Sequence, residues 1–204
     1  GIDLWRMDPK EAGDSCCTAD IGIHAENLCR YITGLEIDSL CAETSAFIEN
    51  NPLEDDVSII ARFKNGAKGS FSVSQILTGE ENGLSIRIYG TLKGLEWRQE
   101  DPNYLIIKEP QGFQTRLSKG NPDVLCDAAA KAGRLPFGHP DGFIEAFANI
   151  YLAAFDAIRD QANNQLKKHY DFPGLDDGVM GAQFIETVLT SGKSEAKWTP
   201  LINP

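Results

Sequence analysis

The chain reads as an α+β protein: a large, open, mainly antiparallel sheet with helices packed on one face. Three observations predict this. Runs that alternate apolar and polar residues follow one another through tight turns across the first half, the pattern of half-buried strands joined as hairpins. Most of the sequence after Asn121 instead repeats apolar groups at three- and four-residue steps, the spacing of amphipathic helices. Nowhere does a strand lead into a G-x-G-x-x-G turn, and no G-x-x-x-x-G-K-[ST] loop occurs, so neither common phosphate-binding device is present.

Taken in order, a first helix begins around Asp20 and ends at Thr33-Gly34, where glycine supplies a C-terminal stop. Glu36 to Phe47 follows as a strand. Asp56 to Phe63 and Ala67 to Ile76 form a hairpin across Lys64-Asn65-Gly66, because Asn-Gly between alternating segments favours a tight reversal. Leu84 to Tyr89 turns through Gly90-Thr91-Leu92-Lys93-Gly94 into Leu95 to Arg98, and Asn103 to Lys108 pairs with Phe113 to Leu117 across Pro110 and Gly112. Helices are expected at Pro122 to Ala132, Asp141 to Asn163 and Asp176 to Thr190. The seam Phe143, Phe147, Ile150, Ala154 and Ile158 of the long helix is expected to lie on the sheet, and Phe184, Ile185 and Val188 are core candidates.

With 204 residues, 42% of them hydrophobic and 24% charged, the chain is read as one domain of ordinary globular composition, residues 1–204. Its formal charge of -11, from 30 acidic against 19 basic residues, argues against nucleic acid or an anionic membrane as partner, since both select a basic footprint. No apolar run approaches the roughly 20 residues that span a bilayer. Cys16, Cys17, Cys29, Cys41 and Cys126 show no metal-binding spacing and are too sparse for a disulfide framework. A reduced, cytoplasmic protein is expected, with Cys16 and Cys17 as small residues in a tight loop. The opening Gly1-Ile2-Asp3-Leu4-Trp5-Arg6 has no initiator Met and reads as the continuation of a longer chain, on which a targeting signal remains open.

Asp20 and His24 are the chief functional lead. Side chains four apart on an α-helix stack, so a carboxylate at 20 would orient an imidazole at 24, fix its tautomer and favour its cation. At about 100° per residue, Ile21, Ala25, Leu28 and Ile32 gather in one direction and Asp20, His24, Asn27 and Tyr31 in another. Glu26 and Arg30 fall in a third, the composition of a solvated face. A stripe of Asp, His, Asn and Tyr suits the wall of a cleft that binds hydroxyl groups; the alternative is a hydrogen-bonded structural histidine. As metal ligands the pair lacks a third donor at suitable spacing.

Several blocks, quoted as they stand, carry a resemblance over essentially the whole chain: Trp5-Arg6-Met7-Asp8-Pro9, Asp20-Ile21-Gly22-Ile23-His24, Gly90-Thr91-Leu92-Lys93-Gly94-Leu95-Glu96-Trp97, Gly138-His139-Pro140-Asp141-Gly142-Phe143, and Asp177-Gly178-Val179 to Ser191-Gly192-Lys193. Together they resemble the C-terminal, substrate-binding and oligomerisation domain of the glucose-fructose oxidoreductase, inositol dehydrogenase and rhizopine catabolism (Gfo/Idh/MocA) family. The resemblance implies a two-domain NAD(P)-dependent dehydrogenase of a sugar or inositol-like polyol. Its Rossmann domain, which binds the NAD or NADP, lies outside this chain, as does an E-K-P motif with a further lysine. His24 then matches the catalytic base and Asp20 the carboxylate assisting it, while this fragment alone is expected to be inactive. Trp5 and Arg6 match an aromatic-basic pair near substrate or cofactor, with a core tryptophan and a solvated arginine as the alternative. Asn27 either bonds a substrate hydroxyl or completes the polar face. His139 either contacts substrate or supports the start of the long helix, and His169, in Lys167-Lys168-His169-Tyr170, reads as surface. Homo-oligomers, dimers or tetramers, are expected through the sheet face. A non-catalytic binding or assembly module derived from the family is the alternative function.

Overall fold

In chain order the elements are α1 (Pro9–Ala12), α2 (Ile23–Thr33), β1 (Ile37–Ser45), β2 (Asp56–Phe63), β3 (Lys68–Ser74), β4 (Ser85–Tyr89), β5 (Gly94–Arg98), β6 (Tyr104–Lys108), β7 (Gln114–Ser118), α3 (Asp127–Ala132), α4 (Phe143–Ala162), α5 (Leu175–Gly192) and β8 (Thr199–Pro200). The structure, a computed structural model, describes residues 5–167 and 169–202. The architecture is α+β with open antiparallel sheets. The chain divides into two compact units, Gly1–Gly79 with Pro173–Pro204, and Glu80–Phe172, and the strands divide with it into two four-stranded sheets, ordered β3-β2-β1-β8 and β4-β5-β6-β7.

The first unit shows why its strands pair in one register. Along β2 the residues Val57, Ile59, Ala61 and Phe63 are buried, while Ser58, Ile60 and Arg62 are exposed. A slip of one residue would turn that whole apolar set to solvent. At the hairpin, Gly66 takes a positive φ of 88° that Asn-Gly tolerates, and the Phe63 N–H donates to Ala67 O at 2.9 Å. Helix α5 covers the apolar side, setting fully buried Phe184 and Val188 against Leu40, Val57 and Ile59. The Phe184 ring meets Phe71 at 5.8 Å with a 60° tilt, a tilted aromatic contact that adds to the burial energy. Helix α5 also runs close to α2 at Gly181, where a Cβ would come within 2.7 Å of Ile23 Cδ1.

The face of α2 differs from its expected one. Glu26 is 5% exposed, and Arg30 bridges it to α5, its Nε 2.9 Å from Glu26 Oε1 and a terminal nitrogen 2.7 Å from Asp177 Oδ1. The pair expected in solvent is thus an interhelical clamp. Conversely Ile32, assigned to the apolar side, is 44% exposed, and the inward line runs through Gly22, Glu26 and Cys29. A helix face becomes core when a partner covers it, and Asp177 makes that possible for the charged side here.

The second unit stands on the β4–β7 meander. Its loop before α4 is tied by Asn103, whose amide donates to Asp141 O at 3.0 Å while its Oδ1 accepts from Asp141 N at 2.9 Å. The Asp141 carboxylate accepts from the backbone of Arg134 and Leu135 and pairs with Lys119. The expected seam of α4 is not buried: Phe143 is 70% exposed, Phe147 44%, Ile150 45% and Ile158 63%. Phe143 and Phe147 instead pack on each other at 4.7 Å. Among the described residues no helix is long and apolar enough to cross a membrane.

Candidate functional site

The helix bearing the site starts earlier than its sequence indicates, and it starts on a buried acid. Its backbone turns helical at Cys17 and opens into a π turn, Thr18–Gly22, before continuing as α2. Glu54, 7% exposed in the loop before β2, closes the helix start from a distance. Its Oε1 accepts from Ser15 Oγ at 2.6 Å and from Thr18 N at 2.9 Å, and its Oε2 from Cys16 N at 3.1 Å. Ser15 Oγ in turn accepts from Ala19 N at 3.0 Å. A negative group on the free N–H ends of a helix is favoured by both hydrogen bonding and the helix dipole. The neighbouring Asp55 is fully buried and organises its own loop, accepting from the N–H groups of Phe47 and Ile48 and from the Asn51 amide.

Asp20 sits inside the π turn, half buried. Arg6 Nε donates to its Oδ1 at 2.9 Å, and Gln75 Nε2, just past the end of β3, donates to its Oδ2 at 3.3 Å. The Arg6 guanidinium lies over the Trp5 ring at 4.6 Å from its centroid. Gln75 Oε1 accepts from Cys16 Sγ at 3.2 Å, and Gln75 N donates to Asp55 O at 2.9 Å. The carboxylate therefore joins the start of the chain to the end of β3 and the start of the helix.

His24 occupies the first turn of α2 and is exposed. Among the described residues it forms no hydrogen bond or ion pair with Asp20, whose oxygens accept from Arg6 and Gln75. A π turn closes i to i+5 hydrogen bonds and widens the helix, so residues four apart across it no longer stack as on an α-helix. Asn27 is half buried and Tyr31 is 66% exposed. His139 is exposed and belongs to the second unit, its Nδ1 3.4 Å from Phe137 O. His169 is exposed, and Lys168 lies outside the described residues. Among the described residues no group of three or more His, Cys, Asp or Glu gathers as a metal ion requires.

Burial, reinforced by the charge of Glu54, pushes the Cys16 thiol up and the Cys17 thiol to about 12. Both therefore stay protonated near neutrality. The sequence reading missed Glu54 and Gln75. Each reaches its partner across a long sequence separation, and the sole signal was that Asn51-Pro52-Leu53-Glu54-Asp55-Asp56 places three acids in a short loop beside two strands.

Residues 2–96 match the family model described as the GFO/IDH/MocA C-terminal domain. An uncharacterized oxidoreductase of Bacillus subtilis, YfiI, is 31% identical over 200 residues, covering 95% of this chain and 50% of the relative. The crystal structure of an oxidoreductase from Sinorhizobium meliloti superposes with a TM-score of 0.82 at 37% identity, over 89% of this chain and 52% of that one. An inositol dehydrogenase homolog from Azotobacter vinelandii, complexed with NADH and myo-inositol, superposes with a TM-score of 0.86 at 27% identity, over 96% of this chain and 51% of that one. The chain spans about half the length of the relatives it matches. It belongs to the Gfo/Idh/MocA family and carries that family's C-terminal domain.

Proposed function

We propose that this chain is the substrate-side half of an NAD(P)-dependent oxidoreductase that oxidises a hydroxyl of a sugar or inositol-like cyclic polyol. The observation that carries the reading is the exposed His24 imidazole on the same helix as a carboxylate held by Arg6 and Gln75. Such a pair supplies a base at a surface open to a ligand, with a fixed negative charge nearby. The NADH and myo-inositol of the Azotobacter vinelandii homolog support both the cofactor type and the polyol class.

The chain offers no glycine-rich turn for a pyrophosphate, so we place the dinucleotide on a domain outside it, with Trp5 and Arg6 as this chain's contacts to cofactor or substrate. When bound, the nicotinamide supplies the acceptor for the hydride. His24 takes the proton of the substrate hydroxyl as that carbon becomes a carbonyl, and Asp20 favours the resulting imidazolium through its charge. Asn27 is assigned to a substrate hydroxyl. A homo-oligomer through the sheet face completes the proposal.

The test uses the full-length protein, NAD and NADP in turn, and a panel of inositols and sugars, reading reduced-cofactor absorbance. His24→Ala is expected to lower kcat/KM by about 10²–10⁴-fold, the usual contribution of a positioned general base. Turnover that survives His24→Ala at the wild-type rate would refute the assignment.

A further inference from the structure

We infer that Gln75 is a positioning residue that holds Asp20 in place for the reaction. The inference rests on the proposed roles of Asp20 and His24. Three features single Gln75 out. Its amide has only one orientation that satisfies both neighbours: a carboxylate solely accepts, so Nε2 must face Asp20 Oδ2 at 3.3 Å, which leaves Oε1 for the Cys16 thiol at 3.2 Å. That thiol is a donor, because burial and the charge of Glu54 keep it protonated. The backbone of Gln75 is fixed as well, its N–H bonded to buried Asp55 at 2.9 Å. A rigid strand end thus presents a donor to the oxygen of Asp20 that Arg6 leaves open. With Arg6 on Oδ1 at 2.9 Å and Gln75 on Oδ2, both oxygens are occupied and one rotamer is selected. The two donors fix the place of the Asp20 carboxylate on the helix that carries His24. The charged and titratable groups around it are Arg6, the Cys16 thiol and, at the helix start, Glu54.

Full-length protein carrying Gln75→Leu and Gln75→Glu tests this, each variant checked for a wild-type melting curve. Gln75→Leu is expected to lower kcat about 10- to 100-fold, the worth of one charge-assisted hydrogen bond, with KM unchanged. Gln75→Glu keeps the size but aims a carboxylate at a carboxylate, and so moves the acid limb of the kcat/KM profile to higher pH. In an Asp20→Asn background Gln75→Leu should cost less than about twofold, since the group it holds is gone. A purely structural residue would give losses that multiply in that background and an acid limb that does not move; either result overturns the inference. Should Gln75→Leu not fold, Gln75→Glu alone decides through the acid limb. Wild-type protein inactive on every polyol and sugar defeats the functional reading itself, whereas an active wild type slowed by Asp20→Asn and indifferent to Gln75→Leu defeats this inference alone.

Discussion

Removing the Glu54 carboxylate is expected to unseat the helix that carries Asp20 and His24, and the size of the effect follows from its bonds. The carboxylate accepts three hydrogen bonds, from Ser15 Oγ at 2.6 Å, Thr18 N at 2.9 Å and Cys16 N at 3.1 Å. Bonds to a charged acceptor are worth about 1.5–3 kcal/mol each, but the variant also escapes the cost of keeping a buried anion out of water. We expect Glu54→Ala to cost about 3–5 kcal/mol, with the two backbone donors left unpaired. Glu54→Gln can keep the oxygen that serves Ser15 and Thr18 while presenting an NH2 group to Cys16 N. It should therefore cost less, about 1–3 kcal/mol. For a chain of this size each kcal/mol moves the melting temperature by about 2–4 °C, so Glu54→Ala should melt roughly 6–20 °C lower. Urea titration followed by circular dichroism gives the free energies, and hydrogen exchange should show lost protection at the amides of Cys16 and Thr18. A Glu54→Ala variant within about 0.5 kcal/mol of wild type, or a Gln variant as damaged as the Ala variant, would refute the account of Glu54 as the helix cap.

Two further outcomes are expected. Arg30→Ala leaves Glu26, 5% exposed, without its cation and releases Asp177 on α5; urea titration should show a loss of about 3–5 kcal/mol, partly recovered by adding Glu26→Gln. For Asp55, burial acts to raise the carboxyl, but the N–H groups of Phe47 and Ile48 and the Asn51 amide outweigh it and hold the group below its ordinary value. The folded chain then binds that proton less readily than the unfolded chain, so the stabilisation is full above the ordinary carboxylate range and drains as pH falls through the lowered value. The stability gap between wild type and Asp55→Asn, measured by urea titration at a series of pH values, should narrow on acidification below about pH 4. A gap independent of pH would sink this reading.

The strands and their turns were legible in the sequence because their causes are local. Val57, Ile59, Ala61 and Phe63 alternate along one run, and Asn65-Gly66 encodes its own reversal. Phe184 and Val188 were legible as core for the same reason, while the catalytic assignment of Asp20 and His24 came from the family resemblance. What the sequence concealed depends on partners far along the chain. A helix starting at Cys17 needs an acceptor for its free N–H groups, and nothing near Cys17 declares that Glu54 will supply it. Gln75 ends an alternating strand and reads as its last polar residue until the π turn brings Asp20 to it. Periodicity orders residues around a helix without saying which side a neighbour covers. In α2 the charged side of Glu26 and Arg30 is covered, because Asp177 on α5 provides a second carboxylate for the guanidinium. In α4 the apolar seam from Phe143 to Ile158 is amphipathic by pattern and yet exposed. Pattern therefore predicts that a face can be buried, and only the long-range partner decides that it is; the same rule explains why the donors that hold Asp20 were not legible.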